Sequence, residues 1–209
     1  MRLNDEQQTE RRTRVLDAAQ RCFAQDGFHR TTMQAIAAEA GISPGAVYLY
    51  FTSKEALIVG IVERHRGELE AQFAAAERSA DVLQALRGIG RRHFVDGKRG
   101  EMQLMLTIWA EAARAPAIAE LCRQLELTVR ANLRRVFEVA KSRGIAAPGM
   151  DAEFAAELFQ TMLQGMFKRR AMEPEFSGEA ALRLAGGLIL ALFQGALCPA
   201  VAPALPEVA

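Results

Sequence analysis

The chain has 209 residues, half of them hydrophobic, with 26 Lys and Arg against 25 Asp and Glu and a formal net charge of +1. That length is enough to bury an ordinary core and permits one or two domains. The near-neutral balance excludes a nucleic-acid binder working through bulk charge. Residues 1–56 carry Arg2, Arg11, Arg12, Arg14, Arg21, Arg30 and Lys54 against an equal number of Asp and Glu. Any attraction for DNA there must come from local placement of charge and from helix N-termini.

The N-terminal stretch MRLNDEQQTERRTR lacks an apolar core, so no secretory signal is expected. Cys22, Cys122 and Cys198 are odd in number and far apart, without Cys-x-x-Cys or Cys/His spacing. This argues against a disulfide framework or a zinc site. A cytoplasmic protein without metal or cofactor is expected.

Apolar residues recur at three and four along nearly the whole chain, and no segment reads as strand. The expectation is an all-α protein of about nine helices. The first runs from Thr9 to Gln25, with Val15, Leu16, Ala18, Ala19, Cys22 and Phe23 on one face and Gly27 as its stop. Two short helices follow between residues 31 and 51. A longer helix runs from Ser53 to about Ala76, and Asp81 caps one reaching roughly Val95. The polar DGKRGE at 96–101 reads as a loop. Helices are then expected over 101–114, over 117–143 closing at Gly144, from the Asp151 cap to about Met172, and from Glu179 to Cys198. The uncharged run from Leu184 to Pro206 approaches the roughly 20 residues of a bilayer span. Gln194, Pro199, Pro203 and Pro206 interrupt it, and a buried helix with no membrane contact is expected.

The chemistry concentrates in residues 31–55, TTMQAIAAEAGISPGAVYLYFTSKE. Thr31 or Thr32 caps a helix, with Gln34 completing a capping box if Thr31 is the cap. Ile36 and Ala37 face inward, Gly41 permits a sharp turn, and Ile42 plugs it. Ser43 caps the next helix and Pro44 takes its first position, with the helix reaching about Phe51. Two short helices joined by a Gly-containing turn make a helix-turn-helix. Gly45 and Ala46 keep the leading end of the second helix slim, so that its backbone can approach a groove. Tyr48 and Tyr50 offer hydroxyls, while Val47 and Phe51 pack inward. Lys54, beside free N–H groups of the following helix, could hold a phosphate. Spacing alone does not separate this from an ordinary two-helix turn inside an α-helical core.

The same stretch resembles the DNA-binding signature of the tetracycline-repressor (TetR) family over about residues 9–65. The ordered elements are Ala19, Phe23, Gly27, Thr32, Ile36-Ala37, Ala40-Gly41-Ile42-Ser43, Gly45, Tyr48, Tyr50-Phe51 and Ser53-Lys54-Glu55-Ala56-Leu57. The resemblance implies that Thr32 and Lys54 hold phosphates and that Tyr48 lies against the DNA backbone. Gln34, Ser43, Gly45, Ala46 and Tyr50 would approach the bases, and Pro44 is counted with them. Tyr50 stands where the family often has histidine. Arg11, Arg12 and Arg14 read either as a basic arm or as a solvated helix end. The resemblance further implies a symmetric dimer on a palindromic double-stranded operator, with recognition helices about 34 Å apart.

It also divides the chain into a DNA-binding part at 1–60 and a helical ligand-binding and dimerisation part at 61–209. In the second part, Met105, Trp109, Phe137 and Phe159 suit the walls of an apolar pocket, with Asn132 as an orienting polar group. Met162 and Met166 join Phe159 in an apolar stripe, while Gly187, Ala191 and Gly195 give the last helix a small-residue stripe that permits close packing, and Leu188 is counted with this interface. Two such helices from each subunit would form a four-helix bundle. Repression relieved by a small apolar effector is the expected function. A helical carrier or enzyme without DNA binding is the alternative. Catalytic motifs are missing, with no Gly-x-Ser-x-Gly, phosphate loop or paired histidines.

Overall fold

The computed structural model describes residues 5–197. Nine α-helices and no strand occur among the described residues. They are α1 (Asp5–Asp26), α2 (Met33–Ala40), α3 (Pro44–Tyr48), α4 (Lys54–Arg78), α5 (Val82–Arg91), α6 (Arg99–Ala112), α7 (Pro116–Ser142), α8 (Ala152–Met172) and α9 (Gly178–Phe193), with a π-helical turn at Arg92–Asp96 after α5. No described helix is long and apolar enough to cross a membrane.

Packing divides the chain into two compact units, Met1–Gly67 with Lys98–Leu125, and Glu68–Gly97 with Glu126–Ala209. The first unit therefore includes α6, which the sequence reading places beyond a division at residue 60. The reason is local, since α6 packs against α1.

In the first unit, α1 buries Val15, Leu16, Ala18, Ala19, Cys22 and Phe23, the expected face. Gly27 ends it with φ of 78°. Phe28 then folds back onto Phe23, with ring centroids 5.4 Å apart. Thr31 is buried, and its hydroxyl lies 2.8 Å from the Gly27 carbonyl and 3.2 Å from that of Cys22. Thr31 therefore does not cap α2, and the capping box with Gln34 is not formed. Thr32 is the cap instead, accepting the Ala35 N–H at 3.1 Å.

Gly41 ends α2 in the left-handed region at φ 67°. The N–H of Ile42 reaches back to Ala37 O, and that of Gly41 to Ala38 O, the paired bonds of a Schellman stop. Ser43 caps α3 by accepting the Ala46 N–H at 3.2 Å. α3 ends at Tyr48, three residues short of the expected Phe51. Phe51 is buried, and the Ser53 hydroxyl accepts the Ala56 N–H at 3.2 Å, so the chain must leave the helix before 53. α4 crosses close to α1 because Gly60 has no side chain. A Cβ there would lie 2.9 Å from both Leu16 Cδ2 and Phe51 Cε1.

In the second unit, Asp81 caps α5, accepting the Gln84 N–H at 2.8 Å. The expected helix to Val95 changes to a π turn after Arg91, with Phe94 buried. The guanidinium of Arg170 donates to the carbonyls of Phe94 and Gly97, groups that a continuing α-helix would have used. Gly178, at the start of α9, lets the Phe94 carbonyl approach its backbone, where any Cβ would collide. The expected loop at 96–101 accordingly shrinks to Gly97 and Lys98.

Phe94 stacks on Phe167 at 4.9 Å and shares a cluster with Met166, Ala181, Met162, Leu163 and Phe176. Phe137 anchors a second cluster, 6.1 Å from the Phe159 ring and 5.5 Å from the Phe193 ring. Asp151 and Ser177 cap α8 and α9. α9 ends at Phe193, earlier than the expected Cys198, with Gly195 in the left-handed region. Cys198, Pro199, Pro203, Pro206 and Arg2 lie outside the described residues.

Candidate nucleic-acid interface

All nine residues singled out for DNA lie in the first unit, on α2, α3, the start of α4, the cap residues Thr32 and Ser43, and, for Tyr50, the turn after α3. Thr32, Gln34, Ser43, Pro44, Gly45 and Tyr48 are exposed, and Ala46, Tyr50 and Lys54 are half-buried. The reason is the registry of α3. Val47 is fully buried, and Gly45, Tyr48 and Leu49, spaced i, i+3 and i+4, share the opposite face. Tyr48 is 49% exposed, and Leu49, which the sequence reading passes over, is 83% exposed.

Gly45 is not a conformational glycine. Its φ is not positive, and a Cβ built on it meets nothing within 4 Å. Nothing in the fold of the chain demands its small size.

The two cap hydroxyls are only half used. Thr32 Oγ1 and Ser43 Oγ each accept one backbone N–H, which leaves each O–H hydrogen available to an outside acceptor. Lys54 is more committed than its sequence position suggests. Its ammonium donates to the carbonyls of Phe28 at 2.6 Å and His29 at 3.3 Å, and sits 4.5 Å from the Phe28 ring centroid. A lysine ammonium has three N–H groups, so one remains. Beside it, the carboxyl of Glu55 is held below the usual carboxylate range, first by the Ser53 hydroxyl and then by its own backbone N–H.

Basic side chains around this surface are few and partly engaged. Arg12 lies over the Phe51 ring at 5.1 Å, Arg14 pairs with Glu10, and Arg21 pairs with Glu39. In a cleft between the 26–30 connection and α6, His29 Nε2 lies 2.9 Å from Glu111 Oε1. Sequence reasoning missed it, because residues 82 apart show no periodic signal.

The residues expected to bind an effector fall in both units. Met105 and Trp109 are half-buried on α6, in the first. Asn132, Phe137 and Phe159 are buried in the second. Asn132 is 1% exposed; its oxygen accepts from Arg135, and its Nδ2 has no partner. Gln72 Oε1 on α4 is likewise buried without a partner. Gln160, which the sequence reading did not select, is buried and bonded to Glu126 O at 3.0 Å.

Of the residues expected at a dimer interface, Phe159 and Met166 are buried within the chain itself. Met162, Leu188, Ala191 and Gly195 are half-buried. The apolar residues left in solvent on α9 are Leu184 and Leu190, flanking Gly187.

Residues 15–61 match the family described as bacterial regulatory proteins, tetR family, and residues 84–194 match the C-terminal part of BetI-type transcriptional repressors. The HTH-type transcriptional regulator UidR of Escherichia coli (strain K12) is 30% identical over 176 residues, 78% of this chain and 84% of UidR. The HTH-type transcriptional regulator BetI of Yersinia pestis (strain Pestoides F) is 27% identical over 178 residues, 82% of this chain and 87% of BetI. The solved structure of Salmonella enterica GusR superposes with a TM-score of 0.70 at 28% identity, covering 87% of this chain and 96% of that one. The exposed helix-turn-helix face and these matches, running in order along the chain, lead to one conclusion: the chain belongs to the tetR family of bacterial regulatory proteins, as a DNA-binding repressor with a ligand-binding C-terminal part.

Proposed function

We propose that the chain acts in the cytoplasm as a homodimer on a palindromic operator, with each α3 in a major groove about 34 Å from the other. Residues 1–60 supply the DNA contacts, and residues 61–209 supply dimerisation and the effector site. The observation that carries this reading is the free face of α3, where a glycine with no folding role adjoins an exposed tyrosine. A backbone kept slim without a folding reason fits close approach to a groove.

In this reading Thr32 and Lys54 each give a remaining donor hydrogen to phosphate oxygens, and Tyr48 lies along the backbone. Gln34, Ser43, Pro44, Gly45, Ala46 and Tyr50 face base edges. Phosphate contacts set register, while base contacts set sequence.

The dimer forms through α8 and α9 as a four-helix bundle. The exposed Leu184, Gly187 and Leu190, with Ala191, supply its surface on α9. Met162, Leu188 and Gly195 lie beside it, while Phe159 and Met166 pack from behind. The effector is small and largely apolar, and Asn132 Nδ2 gives it one polar anchor among apolar walls such as Phe137. The chain performs no catalysis and uses no cofactor.

Release follows from linkage: an effector that binds the DNA-free form more tightly shifts the population off the operator. Selection of bound duplexes from random DNA, followed by a screen of apolar compounds for release, tests the proposal. Enrichment of a two-fold symmetric sequence is the expected result. Enrichment of no sequence at all would defeat it.

A further inference from the structure

We propose that Leu49 is a specificity-determining residue that reads the C5-methyl group of a thymine in each operator half-site. The proposal rests on the DNA-binding reading above and goes beyond it by naming a base and a contact. Leu49 caps the C-terminal end of α3 in ordinary helical geometry, at φ −67° and ψ −25°. Its side chain is 83% exposed, the largest exposure of any large hydrophobic residue among those described.

Neither backbone strain nor packing accounts for a leucine there. Val47 and Phe51, two residues away on either side, supply the inward contacts and are buried. Gly45, one turn earlier on the same face, presents no side chain to cover it. Beyond Pro44, the solvent-facing side of α3 thus presents a bare backbone at Gly45, a phenol at Tyr48 and an isobutyl group at Leu49.

The chemistry of the major groove selects the occupant. Guanine, adenine and cytosine present hydrogen-bond donors and acceptors on that edge, and thymine alone adds a methyl group. An isobutyl group can neither donate nor accept, so the methyl is the base feature it can read. Deoxyribose is also apolar, but contact with it would carry no sequence information.

The test uses the full chain and a duplex enriched by selection. Each thymine is replaced singly by deoxyuridine, which lacks only the methyl. For the unsubstituted protein, one thymine position per half-site should lose about fourfold in affinity, the equivalent of one buried methyl-sized group. L49A, which removes the contact in both half-sites, should bind the original duplex about sixteenfold more weakly and should be indifferent to the same replacement, with an unchanged thermal midpoint because the side chain contacts little. L49M, which keeps an apolar reach, should remain sensitive to it.

A deoxyuridine profile that is the same for L49A and the unsubstituted protein overturns the proposal. So does a uniform loss on all duplexes, which would mark a sugar contact, or L49A binding as tightly as the original. Failure to enrich any duplex would sink the underlying DNA reading together with this one. An enriched duplex without a methyl-sensitive position sinks this one alone.

Discussion

Tyr48 and Lys54 are both assigned to the DNA backbone, yet they stand differently in the folded chain. Tyr48 projects into solvent, so Tyr48→Ala should weaken operator binding at least tenfold and leave the thermal midpoint within about a degree. Lys54 also closes the connection between α1 and α2 through Phe28 and His29. Lys54→Ala should therefore weaken binding and also cost about 1–2 kcal/mol, the scale of a charge-assisted hydrogen bond. Parallel melting curves and operator titrations check the pair, and an unchanged melt for Lys54→Ala would mean that the tether is idle. Cys22 shows the same dependence on surroundings. Burial, followed by the nearby Glu39 and Asp26 charges, pushes its thiol above its ordinary value. The thiolate, the reactive form, is therefore scarce at neutral pH. Alkylation of Cys22 by iodoacetamide should be slow in the native protein, speed up as pH rises, and become fast on unfolding. Native reactivity equal to that in denaturant would contradict the burial.

Caps and glycines decide the elements. The Thr32 and Ser43 caps and the Gly41 stop hold two helices of eight and five residues that would not persist alone. These signals were legible in the sequence as chemistry, since cap hydroxyls and a left-handed glycine have local causes. Thr31 shows the limit of that reading. It carries the same functional group as Thr32 but is drawn into the core by carbonyls of Cys22 and Gly27, and only the returning path of α1 could reveal this. Gly60 is another case. Within α4 it looks like a costly residue in a helix interior, and its use appears only where Leu16 and Phe51 meet it. Gly60→Val should cost about 1–3 kcal/mol through overpacking, read by chemical denaturation. A neutral result would show that α4 can shift without penalty. The π turn at Arg92–Asp96 was not legible either, because its cause, Arg170, lies more than 70 residues further along the chain.

For the whole molecule, the prediction concerns assembly. Leu184 and Leu190 are 58% and 51% exposed on α9, and an apolar stripe of this kind is expected to be covered by a partner. Leu184→Glu combined with Leu190→Glu should give a monomer in sedimentation, with a folded helical spectrum and operator affinity reduced by orders of magnitude, since one half-site alone binds weakly. A double variant that still sediments as a dimer would move the interface off this face. The sequence by itself determined the all-α class, the order of the described helices, the helix-turn-helix and the face of α1 that turns inward. Periodicity, caps and glycine stops act over a few residues and are written locally. The tertiary structure alone decided that α6 packs with α1, that Lys54 braces a loop, that Phe159 and Met166 are core, and that Leu49 stands free. Burial is a property of what the rest of the chain brings alongside, and no local pattern records that.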